Sequence, residues 1–294
     1  MINVITVHWQ TAKWIDVQLS YLERHIDAPF RMFASLNGIE DAAVRGRFHL
    51  AVELPGTHAE KLNELANAVL ADSDPSDVLL FVDGDAFPVR PLFPWITEVL
   101  QTHPLVAVRR DENFSDPQPH PCFCATTTAF WAEIGGDWRP GHPWINSVGV
   151  EVNDVGGTLL HRLEDRGIDW LPLLRTNTAN PHQLLFGVYA HRVYHHGAGF
   201  RTVPTRVDLH RQATLRPSLE QPSLGTLRAE LSRRPSMVLG LRPRHWRVGY
   251  DAVRRTATLR RQPRRNENLN SYEEKLFDRL SHDPDFYRAL DHNA

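Results

Sequence analysis

Two aspartates separated by one glycine, Asp83-Gly84-Asp85, have the spacing in this sequence that best suits metal chemistry. Two carboxylates one residue apart can offer oxygens to the same divalent ion, and Mg²⁺ and Mn²⁺ favour such hard ligands. Gly84 leaves room for a bound ligand to approach the backbone. The tripeptide is also a turn signal between two apolar runs, so a β-hairpin turn is the alternative interpretation.

A second polar cluster lies downstream, in residues 194–201, Tyr-His-His-Gly-Ala-Gly-Phe-Arg. A β-strand through Tyr194 would point His195 and His196 to opposite sides, and we expect His196 to face the aspartates. An imidazole that joins two carboxylates suits Mn²⁺ particularly well. Because the chain has 16 histidines, a core or surface position is the alternative for either one.

The apolar pattern predicts the elements that position these residues. Residues 4–7, 30–36 and 78–82 have the short apolar character of strands, and residues 14–25 and 60–70 have helical spacing. This alternation predicts an α/β sheet flanked by helices. Ligands of such sheets bind outside the carboxyl ends of the strands, which is where the aspartates stand.

The segment around the aspartates resembles a known family. Residues 79–89, Leu-Leu-Phe-Val-Asp-Gly-Asp-Ala-Phe-Pro-Val, resemble the Asp-x-Asp motif of GT-A glycosyltransferases, the nucleotide-diphospho-sugar transferase superfamily. Residues 58–63 resemble the helix that carries a basic residue and an asparagine toward the nucleotide, and the first strand ends where the base-and-ribose pocket begins. The resemblance covers most of residues 2–200. It implies a GT-A, Rossmann-like mixed sheet, with nucleotide contacts from Thr6, His8, Asn37, Lys61, Asn63, Asp83 and Arg201.

The histidine segment is similar to the His-x-x-Gly segment of family 8-like members, with Arg201 where they carry a lysine. This similarity implies a metal site formed by Asp83, Asp85 and His196, with Mn²⁺ or Mg²⁺ as the cofactor. Arg201 would then lie near the diphosphate.

A third segment, residues 149–156, resembles the region where inverting members place the carboxylate that acts as base. The resemblance implies that Asp154 deprotonates the acceptor hydroxyl, with Glu151 as the second catalytic candidate. Asn153 stands where a second acid is common, so the stereochemical outcome stays open. The alternative is that Asn153 or Asp154 caps the helix predicted after it.

Composition sets the broader limits. The chain of 294 residues is 41% hydrophobic and 23% charged, which is typical of a globular protein. It shows no secretory signal and no apolar run of the roughly 20 residues that span a bilayer. Cys122 and Cys124 are too few and too close in sequence for a disulfide framework. We therefore expect a cytoplasmic protein, and the excess of arginine over lysine indicates a bacterial source.

Charge divides the chain unevenly. Residues 1–200 hold 14 basic and 24 acidic residues, whereas residues 201–294 hold 19 and 11. We expect a catalytic domain over 1–205 and a basic, mainly helical extension over 206–294. Its arginine-rich stretch, 254–265, is a solvated surface or contacts anionic lipid headgroups near a lipid-linked acceptor. Nucleic acid is not expected, because no nucleic-acid-binding motif accompanies the charge.

These observations predict a metal-dependent glycosyltransferase of the hexosyltransferase kind. The expected donor is a nucleotide diphosphate sugar, with UDP favoured by the resemblance, and the acceptor is a small molecule, a glycan or a lipid-linked hydroxyl. Two alternatives remain: a Mg²⁺-dependent nucleotidyltransferase or phosphohydrolase, which also uses clustered aspartates, and an inactive protein that binds nucleotide sugars.

Overall fold

The computed structural model describes residues 1–147, 149, 151–180, 182, 184–201 and 269–291. Its strands, in chain order, are β1 (Ile2–Trp9), β2 (Phe30–Asn37), β3 (Leu50–Val52), β4 (Val78–Val82), β5 (Ala86–Pro88), β6 (Leu105–Val108), β7 (His120–Thr127), β8 (Trp144–Ile145), β9 (Glu151–Val152), β10 (Leu171–Leu173), β11 (Gly187–Tyr189) and β12 (Val193–His195). Its α-helices are α1 (Ile15–His25), α2 (Ala42–Arg45), α3 (His58–Leu70), α4 (Phe93–Val99), α5 (Thr128–Ile134) and α6 (Gly157–Asp165).

A mixed sheet of seven strands forms the centre of the molecule, in the order β10-β6-β7-β4-β1-β2-β3. Strand β1 runs parallel to both β2 and β4, and β2 runs parallel to β3. Strand β7 runs antiparallel to both β4 and β6. The predicted α/β sheet flanked by helices is therefore confirmed.

Strand β4 is apolar at all five positions, as is typical of a strand that is covered on both faces. Leu80 and Val82 of β4 join the core cluster that contains Ile15 of α1. Leu79 and Phe81 point to the opposite face and join the cluster that contains the apolar residues of α3 and α5. The middle of β4 is thus buried from both sides, and its carboxyl end is where polar residues begin.

A smaller antiparallel sheet has the strand order β11-β12-β5, and its strand β5 follows β4 in the sequence. Strand β5 begins directly after Asp85, and β12 pairs with it so that His195 lies opposite Ala86. This pairing brings two segments more than 100 residues apart in the sequence to one place.

The C-terminal part of the chain is helical where it is described. Residues 269–282 are helical, and a 3-10 turn, Phe286–Ala289, follows. By its contacts the chain divides into two units, Met1–Arg201 with Phe277–Ala294, and Thr202–Leu276. The arginine-rich stretch 254–265 lies outside the described residues. Among the described helices, none is both long and apolar enough to cross a bilayer.

Candidate active site

The turn that carries the two aspartates joins two different sheets. Strand β4 pairs with β1 and β7, whereas β5 pairs with β12, so the strands before and after Asp83-Gly84-Asp85 are not partners. The alternative of a β-hairpin turn is therefore wrong for this segment. The aspartates stand at the carboxyl end of a buried central strand, the usual place for ligands of α/β sheets.

Asp83, Asp85 and His195 form a cluster whose ligating atoms all lie within 4.8 Å of one another. The Nε2 atom of His195 lies 3.6 Å from Oδ1 of Asp85 and 3.8 Å from Oδ2 of Asp83. Asp85 and His195 are buried, and Asp83 is partly buried. Among the residues that the structure describes, this is the one cluster of three or more such side chains close enough to share an ion.

The protein fixes one oxygen of each carboxylate and leaves the other toward His195. Oδ2 of Asp85 accepts hydrogen bonds from the backbone N–H groups of Gly197, at 3.0 Å, and Gly199, at 2.9 Å. Oδ1 of Asp83 lies 3.1 Å from Nε2 of His58. Oδ1 of Asp85, Oδ2 of Asp83 and Nε2 of His195 therefore remain as three donors from one side.

The charges around Asp83 keep its carboxylate ionised. Burial raises the pKa of Asp83, but His58 beside it, and then His120 and His195, hold the pKa well below its usual range. For His58, burial lowers the pKa, and the contact with Asp83 outweighs it, so that the pKa is raised. An ionised, partly desolvated carboxylate binds a cation more strongly than a solvated one.

His120 adds a neutral imidazole to this surrounding. Its ring centroid lies 5.9 Å from that of His195, and its Nδ1 accepts a hydrogen bond from the backbone N–H of Cys122. Burial, followed by the positive charge of Arg110, holds the pKa of His120 well below its usual range.

The donor set fits a divalent cation. Two carboxylate oxygens and one imidazole nitrogen match Mn²⁺ and also permit Mg²⁺, which prefers oxygen ligands. Because the second oxygen of each carboxylate is engaged by protein groups, each aspartate would bind through one oxygen. Three protein ligands leave further coordination positions for phosphate oxygens and water.

The structure places His195 at the aspartates, and not His196, which was the expected ligand. His196 follows β12 and is fully buried. Its Nδ1 lies 2.9 Å from the hydroxyl of Tyr194, and its ring packs on Trp14 at 4.5 Å and Phe186 at 4.8 Å between centroids. His195 is therefore the histidine that the structure brings to the aspartates, and the ligand role of either residue remains a prediction.

Thr6 and His8 were expected to contact a nucleotide, and the structure buries both completely. The Thr6 hydroxyl donates to Oε1 of Gln18 at 3.1 Å, and Nε2 of His8 lies 3.1 Å from the same oxygen. The Gln18 amide donates to the backbone oxygens of Asp83, at 2.7 Å, and Ala86, at 3.0 Å. Thr6 and His8 therefore act on the aspartate turn through Gln18.

Two further predicted nucleotide contacts are engaged within the fold. The Asn37 amide donates to the Leu54 backbone oxygen at 2.8 Å. The Asn63 amide donates to Asp137 at 2.7 Å, and its oxygen accepts from the Trp138 backbone. Both side chains hold neighbouring segments in place.

Lys61 and Trp9 form a pair at the carboxyl end of β1. The ammonium nitrogen of Lys61 lies 4.2 Å from the centre of the Trp9 ring, a cation–π contact. Burial lowers the pKa of Lys61, and Glu53 opposes this. The Trp9 side chain is 44% exposed at a strand end where ligands of such sheets bind.

Asp154, Glu151 and Arg201 are placed at the surface. Oδ2 of Asp154 lies 3.8 Å from Arg110, and its Oδ1 accepts from the Val155 backbone N–H. Helix α6 is capped by Gly156 instead, so neither Asn153 nor Asp154 caps it. Glu151 and Arg201 are exposed. Their roles in catalysis and diphosphate binding remain predictions.

Two residues important to the site were missed from the sequence, although each left a signal. Gln18 is a polar residue on the buried stripe of α1, four positions after Trp14 and four before Leu22, and a buried amide requires partners. His58 directly follows Thr57, which forms a capping box with Glu60. That Thr-x-x-Glu signature fixes the start of α3 beside the aspartates.

No protein-family model and no curated protein matches the chain. The structure is similar to that of the galactosyltransferase LgtC in complex with donor and acceptor sugar analogues, with 12% identity, coverage of 55% of this chain and 70% of that one, and a TM-score of 0.35. It is also similar to glucosyl-3-phosphoglycerate synthase from Mycobacterium tuberculosis in complex with Mn²⁺ and UDP, with 18% identity, coverage of 59% and 69%, and a TM-score of 0.37.

Proposed function

We propose that the chain is a metal-dependent glycosyltransferase that moves a sugar from a nucleotide diphosphate sugar to an acceptor hydroxyl. The observation that supports this most directly is the cluster of Asp83, Asp85 and His195 at the carboxyl end of β4. Its three ligating atoms lie within 4.8 Å of one another, which suits an ion shared between the protein and a diphosphate.

In this proposal Asp83, Asp85 and His195 hold the cation, with Mn²⁺ favoured by the imidazole. A bound divalent ion supplies Lewis-acid stabilisation of the charge that develops on the leaving diphosphate. Arg201, which is exposed and follows β12 by six residues, is proposed to neutralise the remaining phosphate charge. Trp9 and Lys61 offer an aromatic face and a cation to the nucleoside, and UDP is the favoured nucleotide.

The acceptor is proposed to bind beside Asp154. Its carboxylate is half-exposed and is held by the Val155 N–H and by Arg110. Oδ2 would accept the proton of the acceptor hydroxyl as its oxygen attacks the anomeric carbon. Glu151 on β9, three residues before Asp154, is the second candidate for the catalytic base.

A thermal-shift experiment tests the proposal. The full chain is melted with UDP, GDP, dTDP or ADP, each in Mn²⁺, Mg²⁺ or EDTA, because a ligand of the folded state raises the melting temperature. We expect one nucleotide to raise it in the presence of metal and not in EDTA. Asp85→Asn should lose that rise, whereas Asp111→Asn, which alters an exposed ion pair with Arg109, should retain it.

Donor hydrolysis separates a transferase from a protein that only binds nucleotide sugars. With the nucleotide sugar and Mn²⁺ but no acceptor, we expect slow release of the nucleoside diphosphate that EDTA stops. Absence of any nucleotide-dependent shift, in any metal, would contradict the proposed function. A shift without hydrolysis would support the binding protein instead.

A further inference from the structure

Trp14 holds the loop that fixes the metal ligand Asp85. Its indole N–H donates to the backbone oxygen of Gly199 at 3.0 Å, and the N–H of that same glycine donates to Oδ2 of Asp85. The Trp14 side chain is fully buried. One residue, Gly199, therefore connects the indole to the carboxylate.

Gly199 is enclosed between these two side chains. A Cβ atom on Gly199 would lie 2.4 Å from Nε1 of Trp14 and 2.5 Å from Cβ of Asp85. Such distances are far below van der Waals contact, so the indole and the aspartate both pack closely against the glycine. A displacement of Trp14 would be transmitted to Asp85, because packed interiors have little free volume to absorb it.

The C-terminal segment, residues 277–291, also packs against Trp14. The ring of Phe277 meets that of Trp14 edge to face, with centroids 4.8 Å apart. The ammonium nitrogen of Lys13 lies 4.2 Å from the centre of the Phe277 ring, and the hydroxyl of Tyr21 donates to the Leu280 backbone oxygen at 3.4 Å. These contacts join residues about 260 positions apart.

We propose that Trp14 is a positioning residue for the metal ligand Asp85, and that the C-terminal segment maintains its position through Phe277. The inference rests on the proposed metal centre but concerns residues that touch neither the ion nor a substrate. Without the indole N–H or the Phe277 ring, Gly199 would be less fixed, and Oδ1 of Asp85 would point less accurately at the shared ion. Groups that orient a metal ligand affect metal affinity in this way.

The test titrates the full chain with Mn²⁺ alone and follows the electron paramagnetic resonance signal of the free aqueous ion. Trp14→Phe removes the indole N–H and keeps an aromatic ring. Its control is Trp138→Phe, because Trp138 is equally buried but its indole N–H makes no hydrogen bond within the described part of the chain. We expect Trp14→Phe to weaken Mn²⁺ binding by about threefold to tenfold, as for the loss of one hydrogen bond, and Trp138→Phe to bind like the wild type.

A second pair of variants covers the case in which Trp14→Phe does not fold. Phe277→Ala should weaken Mn²⁺ binding in the same direction. Phe286→Ala is its control, because Phe286 also lies in the C-terminal segment and carries a cation over its ring, from Arg279 at 4.4 Å. Melting in EDTA should show comparable stabilities within each pair.

The outcomes separate this inference from the proposed function. Wild-type Mn²⁺ affinity in Trp14→Phe and Phe277→Ala overturns the inference and leaves the metal centre intact. If the wild type itself does not bind Mn²⁺, the metal centre is overturned and the inference with it. Weakening confined to Trp14→Phe and Phe277→Ala supports both.

Discussion

At the scale of single residues, the adjacent side chains of His195 and His196 have different surroundings. His195 faces the aspartates, whereas His196 is buried against Trp14 and Phe186. We expect His195→Ala to weaken Mn²⁺ binding at least about tenfold, since even residues that only orient ligands have effects of that order, with little change in melting temperature in EDTA. His196→Ala should instead lower the free energy of unfolding by about 2 kcal/mol or more, as for truncation of a packed core side chain.

Isothermal titration with MnCl₂ and urea unfolding in EDTA measure the two effects separately. A loss of metal binding in His196→Ala at unchanged stability would reverse the assignment.

The sequence alone could not decide between the two residues. Strand alternation predicts opposite sides for them, but the side that faces the aspartates depends on β12 pairing with β5, which the sequence pattern does not reveal.

His8 gives the protein a dependence of stability on pH. Burial lowers the pKa of His8 from 6.5 to about 4, and the contact with Gln18 and the charge of Asp85 only partly oppose this. As pH falls through 6.5, the unfolded chain takes up a proton at His8 and the folded chain does not, so stability is present above pH 6.5 and is lost toward pH 4. From pH 7 to pH 5 the loss should be about 2 kcal/mol.

Urea unfolding in EDTA at several pH values measures this loss. His25 provides a second buried imidazole whose pKa is about 4, lowered by burial and then by Arg24. We expect His8→Gln to reduce the slope between pH 7 and pH 5, and the double variant with His25→Gln to reduce it further. An unchanged slope in His8→Gln would show that the folded protein protonates His8 at its ordinary pKa.

At the scale of secondary structure elements, the turn Asp83-Gly84-Asp85 packs closely against β1. The sequence predicts room for a ligand beside Gly84, but other residues of the protein occupy that space. A Cβ there would lie 2.6 Å from the Val7 backbone oxygen, 2.7 Å from the Phe200 ring and 2.9 Å from the His8 ring. Strand β1 is held by β2 on one side and β4 on the other, so it cannot move away.

We therefore expect Gly84→Ala to lower the free energy of unfolding by about 2 kcal/mol, as for overpacking of a core, and to weaken Mn²⁺ binding. Gly46→Ala is the control, because Gly46 is exposed and has a helical φ of −65°. That change should leave stability within about 1 kcal/mol of the wild type. Equal stabilities of the two variants in urea would contradict this account of Gly84.

The elements themselves were predictable where the apolar pattern was long. The run at 78–82 and the periodic segment at 60–70 correspond to β4 and α3, because burial on two faces or on one stripe leaves a direct mark on the sequence. The short strands β5, β11 and β12 have three residues each, and that length is too short to show a period. His195 lies on one of these strands, which is why the sequence pattern could not show which of the two histidines faces the aspartates.

At the scale of the whole molecule, contacts between distant parts of the chain complete the site. The loop at 197–199 holds Asp85, and residues 280–291 reach back to α1 and to residues 176–191. No local pattern encodes such pairs, since a helix or strand period describes only near neighbours in sequence. The aspartate motif was therefore predictable, whereas the surroundings that orient it were not.

The end of the described chain is held to the body of the protein by a buried carboxylate. Asp291 is fully buried, and its Oδ2 accepts from the Thr176 hydroxyl at 3.0 Å and lies 2.6 Å from Nδ1 of His191. The Leu290 backbone oxygen accepts from the N–H groups of Thr178 and Ala179. Because a buried polar group that loses its partner is costly, Asp291→Ala should lower the free energy of unfolding by about 1–3 kcal/mol.

Asp285 supplies the matched control within the same segment. Its carboxylate pairs with Arg24 at 3.5 Å, and both side chains are more than two-fifths exposed. An exposed ion pair contributes little, so Asp285→Ala should change the free energy of unfolding by less than about 1 kcal/mol. Urea unfolding compares the variants, and limited proteolysis should release the C-terminal segment faster from Asp291→Ala than from Asp285→Ala. Equal rates of release would show that the segment is held by its apolar contacts, of which Tyr287 and Leu290 are the most buried near the end.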